Sequence, residues 1–234
     1  SEGMKDFDSK VQENVGKDAK YLLHYPTVYI VNDKNKEKQF SVYIGETSDI
    51  KKRTIQHLTV DPKTRSDWEN LAISGSSKMY VIGHEHFNKS LTLDIENKLM
   101  LYMSSIENVD AVYNRRTNQQ NDYFTSHELD KIFSKVWRGL QKKNKELFPV
   151  EQIIRDSAIF KASPFHKLTE EQIRTKDFIT LRIMQALTKE ETGQLILVTG
   201  EAGSGKTVLM SSLFYELNQL SKDDPENLIF KDTK

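Results

Sequence analysis

The sequence of 234 residues contains no cysteine, which excludes disulfides, thiolate metal sites and a cysteine nucleophile. This absence is compatible with a reducing compartment, and we expect a cytoplasmic location. The 34 basic and 34 acidic residues cancel, so no global positive charge attracts nucleic acid. Contacts with phosphates would therefore depend on local basic patches such as Lys51–Arg53, Lys63 with Arg65, and Arg115–Arg116.

Long apolar runs are also absent. None approaches the ~18 residues that a membrane-spanning helix requires, so we expect no membrane partner. With 37% hydrophobic and 29% charged residues, the composition is typical of a globular protein rather than a disordered one. Ser1 to Gly3, ahead of Met4, are typical of a tag remnant. Composition alone leaves the function open.

The pattern of apolar residues predicts an α+β fold. The runs at 27–31 and 40–45 are rich in β-branched and aromatic residues, and a polar loop separates them. They therefore predict an antiparallel hairpin. A third strand is expected over 78–83, completing a small antiparallel three-stranded sheet flanked by helices. Apolar spacing and capping residues predict helices over 4–25, 50–58, 90–104, 126–145 and 169–187.

Changes in amino-acid composition along the chain suggest four parts. The stretch 115–122 is polar and rich in Asn and Gln, and Pro149 and Pro164 punctuate a later connector. We therefore divide the chain into an N-terminal helical extension (1–24), a sheet-containing domain (25–122), a helical connector (123–165) and a C-terminal phosphate-binding part (166–234).

A glycine-rich loop carries the strongest single motif. Residues 200–207 read Gly-Glu-Ala-Gly-Ser-Gly-Lys-Thr and fit G-x-x-x-x-G-K-[ST] in full. The apolar run 194–199 predicts a strand before the loop, and an amphipathic pattern predicts a helix after it. Backbone amides freed by Gly200, Gly203 and Gly205 would cradle phosphates, Lys206 would reach the outer phosphates, and Thr207 would ligate Mg²⁺. ATP is the expected ligand.

The residues around this loop resemble known ATPases. Gln172, in Leu168-Thr169-Glu170-Glu171-Gln172, resembles the glutamine that reads adenine in superfamily-one helicases. With the loop, residues of about 150–234 resemble the Schlafen-related bacterial ATPases. The alternative is that Gln172 is an ordinary exposed helix residue. No acidic metal ligand or water-orienting group can be assigned after the loop, so we expect an incomplete βα unit with weak or absent ATP hydrolysis.

An ordered set of side chains precedes this part of the chain. Two tyrosines lie on the predicted hairpin, the second within Tyr43-Ile44-Gly45, and are followed by an arginine and a histidine on one helical face, an acid on a later helix and an asparagine. The residues are Tyr29, Tyr43, Arg53, His57, Glu96 and Asn114. Residues of about 25–116 thereby resemble the GIY-YIG nuclease superfamily.

The resemblance implies a metal-dependent endonuclease. Arg53 would bind a phosphate through its planar fork, and Glu96 would hold Mg²⁺ or Mn²⁺. Tyr29 would act as a base near a cation, assisted by His57. Tyr43 would be a hydrogen-bonding partner, and Asn114 a structural or phosphate-side residue. We expect nucleic acid as the substrate, DNA rather than RNA, and coupling to the helicase-like ATPase in the full-length protein.

Each residue also has a structural interpretation. The tyrosines could belong to the core, Arg53 and His57 to a solvated helix face, and Glu96 to an ion pair with Lys89 or Lys98. Thr27 stands where the family has its first glycine, which favours a rival function: a catalytically degenerate module that binds nucleic acid for the ATPase. A second rival is a nucleotide-dependent switch with an interaction domain in front.

Overall fold

The chain folds into an α+β structure, described by a computed structural model for residues 6–65, 68, 71, 74, 76–113, 120 and 122–222. It forms two compact units that divide between Asp156 and Ser157. This division lies inside the predicted connector at 123–165. In the described part of the chain, no helix combines the length and the apolar character needed to cross a membrane.

The first unit contains the sheet. Its strands are β1 (Thr27–Lys34), β2 (Phe40–Thr47), β3 (Lys78–Ile82) and β4 (Val109–Tyr113). Its helices are α1 (Phe7–Val15), α2 (Lys20–Leu23), α3 (Ile50–Thr59), α4 (Asp61–Thr64), α5 (Lys89–Met103), α6 (Leu129–Lys143) and α7 (Glu151–Asp156), with 3-10 turns over Gly16–Ala19 and Ser126–Glu128. The second unit contains α8 (Ala158–Lys161), α9 (Glu170–Thr188) and α10 (Lys206–Lys222).

The sheet has four strands in the order β3-β1-β2-β4. As predicted, β1 pairs antiparallel with β2 and β3. The prediction of a wholly antiparallel three-stranded sheet is wrong, because β4 pairs in parallel with β2, with Val42 opposite Val112. Parallel strands need a long crossover, and α5 supplies it between β3 and β4. The helix predicted over 90–104 is thus the connection that allows β4 to run parallel to β2.

Alternation along the strands gives the sheet two different faces. Tyr29, Val31 and Tyr43 share one face, which we call the tyrosine face, and pack with Ile50 and Trp68 in one core cluster. Helices cover the opposite face. There the Tyr80 ring contacts Phe148 at 5.4 Å, Phe148 contacts Trp137 of α6 at 5.6 Å, and Trp137 contacts Tyr102 of α5 at 5.1 Å. The sheet therefore lies between α3, on the tyrosine face, and α5, on the opposite face.

Capping side chains fix where the helices begin. The carboxylate of Asp49 accepts a hydrogen bond from the Lys52 amide at 2.9 Å at the start of α3. Asn88 accepts one from the Leu91 amide at 2.9 Å at the start of α5. These caps explain why α3 and α5 begin within one residue of their predicted positions.

The strand predicted over 194–199 is not formed, and this part of the prediction is wrong. The segment is irregular, and the Leu195 and Leu197 residues are 79% and 77% exposed. A strand needs a neighbour to satisfy its backbone groups, and the described part of the second unit contains no strand. The helix predicted after the glycine-rich loop is formed as α10.

Gly45 leaves the space in which Tyr29 lies. A Cβ atom added at Gly45 would lie 2.4 Å from the Tyr29 Oη and 2.5 Å from its Cζ. Gly45→Ala should therefore lower the free energy of unfolding by about 1–3 kcal/mol through overpacking. Gly139→Ala on α6 is the control, because an added Cβ there meets nothing within 4 Å. Denaturant unfolding measures the stability of both variants. A Gly45→Ala variant as stable as the native protein would contradict this account of the packing.

Candidate functional site

Four of the predicted site residues meet on the tyrosine face. The hydroxyl of Tyr29 is the centre of the group: Arg53 donates from Nε to it at 3.0 Å, and His57 Nε2 lies 2.8 Å from it. Arg53 also donates from Nη2 to the hydroxyl of Tyr43 at 3.2 Å. Arg53 and His57 reach the sheet together because they lie one turn apart on α3. The guanidinium therefore links the helix to both strands.

Aromatic rings enclose the same group. The rings of Tyr29 and Tyr43 stack at a centroid distance of 6.1 Å, and the His57 imidazole stacks on Trp68 at 3.8 Å. The indole Nε1 of Trp68 donates to the backbone carbonyl of His57 at 2.6 Å. The imidazole is consequently fixed in orientation and largely shielded from water.

Asp61 belongs to this group, although it was not among the predicted site residues. Its Oδ2 lies 2.5 Å from His57 Nδ1, and its Oδ1 accepts a hydrogen bond from Gln56 Nε2 at 3.2 Å. The Nη1 of Arg53 lies 3.8 Å from the same Oδ2. An acid four residues after a histidine was the available signal. Asp61 lies beyond the end of the helix predicted over 50–58, so a helical spacing from His57 was not expected, whereas the residue begins α4.

Burial shifts the proton affinities of the two central groups. Loss of solvent and then the neighbouring Tyr43 raise the pKa of Tyr29 well above its ordinary value, although Arg53 opposes the shift. Loss of solvent, followed by the positive charge of Arg53, lowers the pKa of His57 to about 4. Asp61 opposes that lowering. His57 is therefore neutral near pH 7.

Arg53 is the most exposed member of the cluster. The side chain of Arg53 is 23% exposed, whereas Tyr29 is 0% exposed. The guanidinium of Arg65 lies over the Tyr43 ring at 5.2 Å, which adds a second positive charge beside the cluster. Lys51 is paired with Asp8 at 2.9 Å, and Arg115–Arg116 lie outside the described residues.

Thr27 is accommodated without a break in the hairpin. The residue is fully buried and pairs with Thr47 in the β1–β2 register. Its hydroxyl donates to the Thr47 carbonyl at 3.4 Å. The side chain at this position therefore does not prevent Tyr29 from reaching Arg53 and His57.

Two further residues belong to the predicted set, Glu96 and Asn114. Glu96 lies on α5, the helix that packs on the opposite face of the sheet, and is 6% exposed. Asn114 lies outside the described residues. A single carboxylate has the hard oxygen donors that Mg²⁺ prefers and leaves room for the waters this ion retains, so the donor chemistry of Glu96 fits the metal. Among the described residues there is no group of three or more His, Cys, Asp or Glu side chains able to hold a metal ion.

The glycine-rich loop of the second unit contains two glycines with positive φ. Gly203 and Gly205 adopt φ of 82° and 80°, a left-handed conformation that favours glycine. The Nζ of Lys206 donates to the carbonyls of Gly200 at 2.9 Å and Glu201 at 2.7 Å. The lysine must leave these carbonyls to reach a phosphate. Thr207 is exposed on the first turn of α10.

Gln172 supports this loop from α9. Its Oε1 accepts a hydrogen bond from the Thr169 amide at 2.9 Å, which completes the helix cap, and its Nε2 donates to the Ser204 carbonyl at 3.0 Å. Both polar groups of the side-chain amide are therefore engaged within the protein. To read an adenine, Gln172 would have to exchange these partners.

Comparisons of the chain with protein-family models, curated proteins and solved structures found no match. Any functional argument therefore depends on the geometry described above. Tyr29, Tyr43, Arg53 and His57 converge, and Asp61 joins them.

The low pKa of His57 makes stability depend on pH. Between about pH 4 and its ordinary value of 6.5, the unfolded chain binds a proton that the folded chain does not. The free energy of unfolding should therefore fall as the pH is lowered through this window. Denaturant unfolding of the native protein and His57→Gln isolates the effect, because the variant lacks this contribution. An NMR midpoint of His57 near 6.5 would contradict it.

Proposed function

We propose that the first unit is a nuclease that hydrolyses phosphodiester bonds in nucleic acid, with DNA as the preferred substrate. The observation that carries the proposal is the convergence of Tyr29, Arg53 and His57 at one hydroxyl, with Tyr43 on the same guanidinium. A phenol, a neutral imidazole and a guanidinium supply a proton acceptor and an anion-binding group at a single site.

The solvent exposure of each side chain suggests its role in the reaction. Arg53 is the partly exposed member, so it binds a phosphoryl oxygen while its Nε remains on Tyr29. Tyr29 is fully buried in this conformation, so it accepts a proton from the attacking water only after substrate binding opens the face beside Arg53; His57 adjoins the same oxygen. Arg65 adds positive charge beside Tyr43, where the strand of a polyanion would lie.

Glu96 is the candidate ligand for Mg²⁺ or Mn²⁺. A divalent ion, when bound, would stabilise the charge that develops on the departing 3′ oxygen. The roles of Arg53, Tyr29 and His57 in binding phosphate and moving the water's proton do not depend on the site of that ion.

Replacing the guanidinium tests its role in cleavage. Arg53→Lys keeps the charge but loses the planar fork, so cleavage of labelled duplex DNA in Mg²⁺ or Mn²⁺ should fall on the order of 10²-fold or more. Arg138→Lys is the matched control, because Arg138 is exposed on α6 and donates to the Ser134 carbonyl of its own helix.

Glu96→Ala tests the metal ligand in the same assay, and a labelled RNA substrate tests the preference for DNA. Cleavage should be lost in this variant while DNA binding largely persists. A native protein that cleaves neither substrate with either metal would overturn the proposed nuclease activity.

A second candidate function is a binding module without catalysis. The complete burial of Tyr29 favours it, because no solvent reaches the hydroxyl in this conformation. DNA binding by the native protein that weakens in Arg53→Lys, without product in either metal, would identify this function.

For the second unit we propose a site for ATP at the glycine-rich loop. Its support is the complete motif, the left-handed Gly203 and Gly205, and the position of Lys206 at the start of α10. We expect binding without appreciable turnover, because the described part of this unit has no strand whose end could present a metal-binding acid.

Lys206→Ala should weaken MgATP binding by about 10-fold or more, since the ammonium that pairs with the outer phosphates is removed. Lys189→Ala is the control, because Lys189 lies at the exposed end of α9. Calorimetric titration measures both. Equal affinities would contradict the assignment, and metal-dependent phosphate release by the native protein would contradict the absence of turnover.

A further inference from the structure

We propose that Asp61 is a positioning residue that holds His57 with its Nε2 free to accept, so that Tyr29 passes the proton of the attacking water on to His57. This inference rests on the proposed nuclease function for its catalytic consequence. The orientation of the hydrogen bonds that it assigns can be measured independently. The path consists of three groups, in the order Tyr29, His57 and Asp61.

The direction of each hydrogen bond follows from what the partners can do. An ionised carboxylate only accepts, so the 2.5 Å contact between Asp61 Oδ2 and His57 Nδ1 places the proton on Nδ1. In a neutral imidazole the other nitrogen then has no proton, and Nε2 accepts from the Tyr29 hydroxyl at 2.8 Å. The phenol therefore donates to His57 while its oxygen accepts from Arg53 Nε.

This arrangement removes the need for a free phenolate. Burial raises the pKa of Tyr29, so a phenolate standing alone in this site is strongly disfavoured despite Arg53. In a coupled transfer, the water oxygen bonds to phosphorus as the P–O3′ bond breaks, and the departing 3′ oxygen takes a proton from solvent. The proton that the attacking water loses forms a new O–H bond on Tyr29. The original phenol proton moves to His57 Nε2 in the same step. Tyr29 stays neutral, and the positive charge ends on the imidazole, beside the Asp61 carboxylate.

Neighbouring side chains fix the orientation of the Asp61 carboxylate. Its side chain is 4% exposed, and Gln56 Nε2 binds the oxygen that does not face His57. Among the described residues, the charged and titratable groups around His57 are Asp61, Arg53, Arg65, Tyr29 and Tyr43. Among them Asp61 supplies the negative charge that favours a protonated imidazole.

A bound phosphodiester would favour proton transfer from Tyr29 to His57. The positive charge of Arg53 is the second cause, after burial, of the low proton affinity of His57. An anionic phosphodiester on the guanidinium offsets that charge, so the pKa of His57 rises when substrate is present. The proton is afterwards released from His57 to solvent, which returns the site to its starting state.

The nitrogen-15 NMR spectrum of His57 in the native protein tests the assignment without any variant. The Nδ1–H tautomer is expected near pH 7, with Nε2 unprotonated. In Asp61→Asn the fraction of the Nε2–H tautomer should rise, whereas Asp61→Glu should retain the native form. Asp33→Asn is the control, because its side chain accepts hydrogen bonds from Ser74 and Ser76, away from His57. A native Nε2–H tautomer, or no change in Asp61→Asn, would overturn the proposal.

Cleavage kinetics test the consequence for catalysis. In Asp61→Asn, kcat should fall on the order of 10²-fold with little change in KM, and Asp61→Glu should recover part of it. An unchanged kcat would overturn the catalytic role. If the native protein shows the Nδ1–H tautomer but cleaves nothing, the nuclease function fails while the positioning of His57 by Asp61 is supported.

Discussion

The hydroxyl of Tyr29 is the point on which the tyrosine face depends. It lies over Gly45, where no Cβ stands in the way, and there it meets Arg53 and His57. A buried hydroxyl that lost these partners would be costly, so the hydrogen bonds hold α3 against the hairpin as well as orienting the groups. Packing and chemistry are therefore satisfied by the same few atoms.

Local signals in the sequence predicted much of this arrangement. Asp49 and Asn88 cap α3 and α5, and their apolar spacing predicts each helix. Arg53 and His57 share a helical face by spacing alone. Once the strands alternate, both tyrosines must lie on one side of the sheet. These features depend on neighbours within a few turns or on strict alternation, which a single sequence reveals.

The features that were missed depend on partners distant in the chain or on a break in local structure. β4 is short, and its parallel pairing with β2 is decided by the α5 crossover rather than by its own residues. The segment 194–199 has the composition of a strand but no described strand beside it. Asp61 follows the end of α3, and it contacts His57 because the backbone stays helical through Val60 into α4.

The cluster lies within a short stretch of chain, and this has a consequence for folding. Tyr29 to Asp61 includes only one hairpin and the helix after it, whereas β4 joins β2 from a part of the chain that follows α5. Contacts that close small loops form faster than those that close large ones. We therefore expect the cluster around Tyr29 to assemble early in folding. The edge strand β4 would then pair with a hairpin that is already ordered.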